Sequence, residues 1–276
     1  MTDALQIKTF HDGRQAPALG LGTWQIPDES VAQVIVEATE LGYRSIDTAA
    51  IYENEAGVGR GIRECGIPRE ELFVATKLWN DAHAHGTSRP AFEASLERLG
   101  LDYVDLYLIH WPVPQQDLFV QAWEALIQLR DEGLVKSIGV CNFNAEQLQQ
   151  LLDETGVLPV VNQVELHPRF QQTALRKYHA DNDIVTEAWS PLARGALHDD
   201  PTLKGIAARL QRSVTQVILR WHLQLGHMLI PKSVQTARLR ENMAVFDFQL
   251  SDQDMAAISQ LDVADGRGGP DPATFS

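Results

Sequence analysis

The sequence has few cysteines and no long apolar run, and both absences narrow the class of protein. Cys65 and Cys141 are the only cysteines in 276 residues, so no disulfide framework is indicated and both thiols are expected to be reduced. No run of about 18 apolar residues occurs, which argues against a membrane span. The opening residues MTDALQIKTFHDGRQ contain no apolar core of signal-peptide length. We therefore expect a cytoplasmic protein.

Basic residues are also scarce. Lysine and arginine number 23 against 37 acidic residues, which gives a net charge of −14. Such a charge argues against nucleic acid or an anionic membrane as the main partner, although a local basic pocket for a phosphate stays open. Apolar residues make up 44% and charged residues 22% of the chain, which is typical of a globular protein. We expect a monomer that acts on a small molecule.

Short apolar segments recur along the chain in the manner of strands that are buried on both faces. An additional hairpin is predicted from LQIKTF and QAPALGLG, which flank Asp12 and Gly13. The predicted strands that follow it span residues 18–24, 45–49, 72–78, 104–110, 137–142, 160–166, 184–189 and 228–232.

In the segments between these strands, apolar residues recur at helical spacing. Asn144 and Ser251 are predicted helix caps, and Asn54 with Glu55 is expected to start another helix. The predicted helices span residues 29–42, 88–100, 116–133, 144–156, 171–182, 201–212, 213–226, 234–246 and 251–262. Eight strands that alternate with helices, without a linker, predict an α/β fold: one (β/α)8 TIM barrel over residues 1–276, with an N-terminal β-hairpin and extra helices.

In such a barrel the functional residues lie at the carboxyl ends of the strands. Three neighbouring strands end in Asp47, Lys77 and His110, and Tyr52 follows the first of them closely. Four of the six tryptophans also fall at strand ends, whereas Trp123 and Trp221 fall within helices. The residues at the strand ends are Thr23, Trp24, Asp47, Lys77, Trp79, His110, Trp111, Cys141, Asn142, Gln163, Glu165, Trp189, Ser190, Lys232 and Ser233.

Each of the four polar residues also has a structural interpretation. Asp47 could cap a turn, and Lys77 could form a purely structural ion pair with it. His110 and Tyr52 could be packed core side chains. Their conjunction at one rim favours chemistry: an ammonium beside a tyrosine lowers the phenol pKa, and a histidine can position a carbonyl oxygen. Such a unit would protonate an oxygen that gains negative charge when a hydride adds to an aldehyde or ketone.

The sequence contains no Rossmann fingerprint, since GVGRG at 57–61 has the wrong spacing and follows a loop. Residues 231–242, PKSVQTARLREN, offer a different phosphate site. Lys232 and Ser233 end the last strand, and Arg238 and Asn242 follow one helical turn apart. A barrel often binds phosphate at this place, and this cluster would suit the 2′-phosphate of NADPH. Arg240 is expected to be solvated.

Three motifs resemble those of the aldo-keto reductases: GYRSIDTAAIYENE (42–55), LDYVDLYLIHWP (101–112) and IPKSVQTARLREN (230–242). The resemblance extends from about residue 5 to the C-terminus. Within the family the chain is most similar to the bacterial 2,5-diketo-D-gluconate reductases, through TKLWND (76–81), IGVCNF (138–143) and NQVELHP (162–168). It implies NADPH-dependent reduction of a small polar aldehyde or ketone, of the 2,5-diketo-D-gluconate, methylglyoxal or β-keto ester type, to an alcohol.

The resemblance also implies a role for each site residue. Tyr52 would be the general acid, with a pKa lowered by Lys77. Asp47 would pair with Lys77, and His110 would orient the carbonyl. The implied substrate-binding residues are Trp24, Tyr52, Trp79, His110 and Trp111. The implied NADPH-binding residues are Thr23, Trp24, Cys141, Asn142, Gln163, Trp189, Ser190, Leu192, Lys232, Ser233, Val234, Arg238, Glu241 and Asn242.

Two positions depart from the family pattern. Many members have serine in place of Cys141, and many mammalian members have an aromatic residue in place of Val234. The residues leave two other functions open. A metal-dependent barrel hydrolase would use Glu165 and His167 together with Asp47 and His110, but the spacing is poor for a metal. The other is an NADPH-binding sensor without turnover. The complete set of four polar residues favours the reductase.

Overall fold

The computed structural model describes residues 6–275. A hairpin comes first and consists of β1 (Ile7–Thr9) and β2 (Gln15–Pro17), which pair in antiparallel fashion. Eight parallel strands follow in chain order: β3 (Leu21–Gly22), β4 (Ser45–Asp47), β5 (Phe73–Leu78), β6 (Val104–Ile109), β7 (Val135–Cys141), β8 (Val161–Glu165), β9 (Val185–Trp189) and β10 (Met228–Leu229).

The two end strands of this sheet meet and close a ring. Leu19 and Leu229 form a parallel bridge. The N–H of Gly20 donates to the carbonyl oxygen of Leu229 at 2.8 Å, and the N–H of Leu229 donates to that of Ala18 at 2.8 Å. The closed parallel ring and the N-terminal hairpin confirm the predicted (β/α)8 barrel.

The strands at this seam are much shorter than predicted. The segments 18–24 and 228–232 pair regularly only over Leu21–Gly22 and Met228–Leu229. Pro231 has no N–H for the ladder and ends β10. The backbones approach so closely here that a Cβ on Gly22 would lie 2.6 Å from the carbonyl oxygen of Ile230. Glycine at residue 22 therefore lets the barrel close.

Helices surround the ring between and after the strands. Trp123 and Trp221 lie in two of them and are 0% and 1% exposed, so both belong to the core as expected. None of the helices within residues 6–275 is both long enough and apolar enough to cross a membrane. Their bounds are α1 (Asp28–Glu40), α2 (Glu55–Glu64), α3 (Ser88–Leu99), α4 (Phe119–Asp131), α5 (Ala145–Thr155), α6 (Thr173–Asp181), α7 (Pro201–Leu210), α8 (Val214–Gln224), α9 (Thr236–Met243) and α10 (Asp252–Ser259).

Local signals account for several of the helix ends. Asn144 and Ser251 each form a capping box with the residue three positions later, which confirms both predicted caps. Gly100 and Gly156 end α3 and α5 in the left-handed conformation, with φ of 65° and 72°.

The hairpin seals the end of the barrel at which the strands begin. Phe10 and Ala16 pack against inward-facing residues such as Leu106 and Val161. Ser137, near the start of β7, donates a hydrogen bond to Asp12 at 2.6 Å. The opposite end, where the strands finish, is thereby left as the open face of the barrel.

Candidate active site

Asp47 and Lys77 form a buried ion pair at the ends of β4 and β5. Nζ of Lys77 donates to Oδ1 of Asp47 at 2.5 Å and to the carbonyl oxygen of Thr48 at 2.8 Å. Lys77 is 0% exposed and Asp47 is 2% exposed, so each charge depends on the other for compensation. One N–H of the ammonium group is left for a further partner.

Tyr52 is placed beside this pair by the short 3-10 turn Ala50–Tyr52. The side chain of Asn54 holds the turn, since it accepts from Thr48 at 2.8 Å and donates to the carbonyl oxygens of Thr23 and Ile26, each at 2.9 Å. Asn54 does precede α2, but its side chain makes no capping hydrogen bond. The amide oxygen that a cap would use accepts the hydroxyl of Thr48 instead, so Asn54 fixes the tyrosine turn.

Opposing influences set the protonation of Tyr52. Burial raises the pKa of Tyr52 to about 12, and the charge of Lys77 opposes this rise. Nζ of Lys77 lies 5.2 Å from the centroid of the tyrosine ring. Burial alone would lower the pKa of Lys77, but Asp47 and Tyr52 raise it above its ordinary value. At neutral pH the site therefore holds a protonated phenol beside a charged ammonium group. Lys77 acts in the expected direction, but burial outweighs it.

His110 stands across from Tyr52. The ring centroids of the two residues are 5.6 Å apart, and the Trp79 ring is 5.1 Å from His110. Burial and the charge of Lys77 both hold the pKa of His110 well below its usual range. The imidazole is therefore neutral at pH 7 and keeps one N–H to donate.

Two side-chain amides continue the site along β7 and β8. Asn142 accepts a hydrogen bond from Nε1 of Trp189 at 2.8 Å and donates to the carbonyl oxygen of His110 at 3.0 Å. Nε2 of Gln163 donates to Oδ2 of Asp47 at 2.9 Å and to Oε2 of Glu187 at 2.7 Å. The sulfur of Cys141 lies 3.8 Å from Oε1 of Gln163.

A cavity of about 1090 Å³ opens at this end of the barrel. Aromatic rings form part of its wall, as is usual in ligand sites. The ring centroids of Trp111 and Phe275 are 4.2 Å apart. Residues that line the cavity include Trp24, Asp47, Tyr52, Trp79, His110, Trp111, Asn142, Gln163, Trp189, Ser190, Leu192, Lys232, Ser233, Arg238, Glu241, Asn242 and Phe275.

The sequence pattern of the aldo/keto reductase family matches residues 18–263. The chain belongs to this family. It is 50% identical over 268 residues to an aldo-keto reductase of Mycolicibacterium smegmatis, with 97% of each chain covered. It is equally identical over 268 residues to the methylglyoxal reductase DkgA of Escherichia coli K12, with 96% of each covered. The crystal structure of a Gox0644 mutant in complex with NADPH superimposes with a TM-score of 0.95 at 48% identity, over 99% of both chains.

Most site residues expected for an aldo-keto reductase lie on the wall of this one cavity. Four of them do not. Lys77, Thr23 and Cys141 are fully buried behind the wall, and Thr23 donates to the carbonyl oxygen of Asp47 at 3.0 Å. Val234 is 48% exposed and does not line the cavity. The three buried side chains can act on a bound molecule only through their neighbours.

Sequence reasoning missed several residues in or next to the site, among them Glu187, Arg194 and Phe275. Glu187 lies inside β9 and is buried; the sequence signal would have been its position two residues before Trp189. Arg194 lies in the loop after β9, with its guanidinium 5.2 Å from the centroid of the Trp24 ring. Phe275 reaches the cavity from the C-terminal tail, and nothing in the sequence around it indicates this.

The metal-hydrolase alternative depended on Glu165 and His167. Nε2 of His167 is 3.1 Å from Oε1 of Glu165, and both carboxylate oxygens accept N–H groups of the tail, from Gly268 at 2.7 Å and Gly269 at 2.9 Å. No three acidic, histidine or cysteine side chains within residues 6–275 are grouped to hold a metal. Glu165 serves to fasten the tail.

Proposed function

We propose that this chain is an NADPH-dependent reductase of small, polar aldehydes and ketones, and that Asp47, Tyr52, Lys77 and His110 carry the chemistry. The observation that carries the proposal is the protonated Tyr52 and the neutral His110 on the wall of one cavity, with the charged Lys77 buried beside Tyr52. Family membership and the relatives named methylglyoxal reductase support it.

The residues of the cavity fit a nicotinamide cofactor. After its two contacts Asn142 keeps one free N–H, and Gln163 keeps one free acceptor position on Oε1. A carboxamide needs one donor and one acceptor partner, so the two side chains are complementary to it. Trp189 lines the cavity beside them. NADPH supplies a hydride to the carbonyl carbon when it is bound.

The far end of the cavity fits a phosphate. Lys232 and Arg238 both line it, and neither forms an ion pair with any residue in the described part of the chain. Two basic side chains without an ion-pair partner on one cavity wall, in a protein that is acidic overall, indicate an anion-binding site. Ser233, Glu241 and Asn242 lie beside them. We assign this end to the adenosine 2′-phosphate and adenine of NADPH.

The remaining steps belong to the side chains of the site. His110 donates its N–H to the carbonyl oxygen of the substrate and thereby holds it near the phenol. Tyr52 gives its proton to that oxygen as negative charge develops. Lys77 stabilises the resulting phenolate, and Asp47 keeps Lys77 charged. The walls formed by Trp79, Trp111 and Phe275 exclude water.

Replacement of Tyr52 by phenylalanine tests this assignment. We expect Tyr52→Phe to lower kcat for methylglyoxal reduction by about 10²–10⁴-fold. The Kd for NADPH, measured by quenching of tryptophan fluorescence, should stay within about twofold of the wild-type value, because the hydroxyl is not assigned to the cofactor. A Tyr52→Phe protein that reduces aldehydes at the wild-type rate would refute the proton-donor role. Parallel kcat/KM values for sugar-derived diketones and β-keto esters would rank the substrates.

A further inference from the structure

Glu187 is a buried carboxylate for which the proposed reaction has no assigned role. It lies on β9, and the strand register pairs it with Gln163 on β8. Glu187 is 3% exposed. Burial and the neighbouring charge of Asp47 raise the pKa of Glu187 to about 7, while Gln163 and Lys77 oppose the rise. Burying a carboxylate of this kind costs free energy of folding unless a partner forms a hydrogen bond with it.

The partner is the side-chain amide of Gln163. An amide nitrogen has two N–H groups, and Gln163 uses both on carboxylates, Asp47 at 2.9 Å and Glu187 at 2.7 Å. An ionised carboxylate can only accept hydrogen bonds. If the amide were reversed, its oxygen would face two acceptors, which is strongly unfavourable. The two acids together therefore fix which end of the amide faces each way.

The orientation of Gln163 decides what the cavity recognises. With both N–H groups turned to the acids, only Oε1 remains, and its other neighbour is the weakly donating thiol of Cys141 at 3.8 Å. Gln163 can then accept a hydrogen bond from a ligand but cannot donate one. Asp47 alone would leave one N–H without a partner, and the amide could turn to satisfy it elsewhere.

We infer that Glu187 is a positioning residue that locks Gln163 as a hydrogen-bond acceptor, so that the site selects a pyridine ring whose substituent carries an N–H donor. This inference rests on the proposed function. The carboxamide of NADP⁺ has that N–H₂ group. The 3-acetylpyridine analogue of NADP⁺ keeps the carbonyl but has a methyl group in its place, so it leaves the acceptor of Gln163 unpaired.

Equilibrium binding of these two cofactors tests the inference without turnover. Kd values for NADP⁺ and its 3-acetylpyridine analogue would be measured by tryptophan quenching at pH 8, where Glu187 is mainly ionised. We expect the wild-type protein to bind NADP⁺ about tenfold more tightly, as for the loss of one hydrogen bond. In Glu187→Gln the residue at 187 can itself donate, the amide of Gln163 can reverse, and the ratio should fall to about two or less.

Glu55→Gln is the matched control, since it removes a buried carboxylate that hydrogen-bonds Thr76 and does not line the cavity. Its cofactor ratio should equal that of the wild-type protein. The variant Glu187→Asp keeps an acceptor-only group and should retain most of the preference. An unchanged ratio in a folded Glu187→Gln protein would overturn the inference.

Two further outcomes are decisive if Glu187→Gln does not fold. A wild-type protein that binds both cofactors equally would overturn the inference by itself, whereas a preference that Glu187→Asp retains would support it. Failure of the wild-type protein to bind either cofactor would instead refute the proposed function, which separates the two claims.

Discussion

At the scale of single residues, the Asp47–Lys77 pair links stability to the site. Both side chains are buried, so the loss of one partner leaves the other charge uncompensated. We expect Lys77→Met to lower the free energy of unfolding by about 3–5 kcal/mol. The double variant Asp47→Asn/Lys77→Met should recover at least about 2 kcal/mol of that loss, because no buried charge is then left without a partner. Urea unfolding at pH 7.5 measures both values, and additive losses would contradict the argument.

Arg238 determines the preference between the two nicotinamide cofactors if it holds the 2′-phosphate. Arg238→Leu should raise the Kd for NADPH by about 10- to 100-fold, the effect of one charge-assisted hydrogen bond. The Kd for NADH, which lacks that phosphate, should change by less than about twofold, since it loses no contact. Arg240→Leu on the same helix is the matched control, because Arg240 does not line the cavity. Equal weakening of NADPH and NADH would place the phosphate elsewhere.

The sequence was sufficient to predict those site residues that stand at the ends of predicted strands. Asp47, Lys77 and His110 end consecutive strands, and the strand ends of a barrel share one face, so simple alternation of strands and helices brought them together. Glu187 was missed because its only signal is its position two residues before Trp189, inside an apolar strand. Its role depends on the register between β8 and β9, which is a property of the folded sheet.

At the scale of elements, the C-terminal tail is a separately fastened part of the cavity. Glu165 accepts the N–H groups of Gly268 and Gly269, and the tail then carries Phe275 onto Trp111. This contact joins residues far apart in the chain, and Phe275 follows no periodic element. Sequence reasoning could therefore predict neither the fastening nor the aromatic wall, and it offered Glu165 as a possible metal ligand instead.

Glu165→Gln should loosen this tail, because the new amide group cannot accept one of the two N–H groups. We expect faster hydrogen exchange over residues 265–275 and a KM for the carbonyl substrate raised by about 3- to 10-fold, as for the loss of about 1 kcal/mol. The Kd for NADPH should stay nearly constant. Asp265→Asn, an exposed change in the same tail, is the control. Unchanged exchange in Glu165→Gln would show that other contacts hold the tail.

At the scale of the whole molecule, buried histidines make stability depend on pH. Burial lowers the pKa of His83 and His179 to about 4 and that of His222 to about 3. An unfolded imidazole titrates near ~6.5, so the unfolded chain binds these protons first. Their contribution is fully present above pH ~6.5 and is lost as the pH falls from there toward about 4.

We expect each histidine to contribute a loss on the order of 1 kcal/mol per pH unit in that window. Urea midpoints at pH 7.5, 6 and 5 measure the slope. His179→Gln should make it shallower, whereas His85→Gln, at an exposed position, should leave it unchanged. A slope that His179→Gln does not alter would contradict the contribution assigned to His179.

The architecture as a whole was predictable because strand and helix patterns alternate clearly. The seam was not predictable from the sequence, because the short pairing of Leu21–Gly22 with its neighbours depends on where β10 lies in the folded barrel. Apolar residues continue beyond the paired segment on both sides, and only the backbone approach at Gly22 and the missing N–H of Pro231 limit the ladder.

The seam between β3 and β10 has a consequence for synthesis on the ribosome. During synthesis β3 stays unpaired on one side until β10 has been made, because Leu229 is added more than two hundred residues after Leu19, with which it forms the bridge. A chain that is cut short before that point has two open sheet edges, on β3 and β9, and lacks both Lys232 and Arg238. Such edges promote association with other chains and expose the species to chaperones and proteases. Unfinished copies are thus distinguishable from complete ones by their edges, and none of them carries a complete cofactor site.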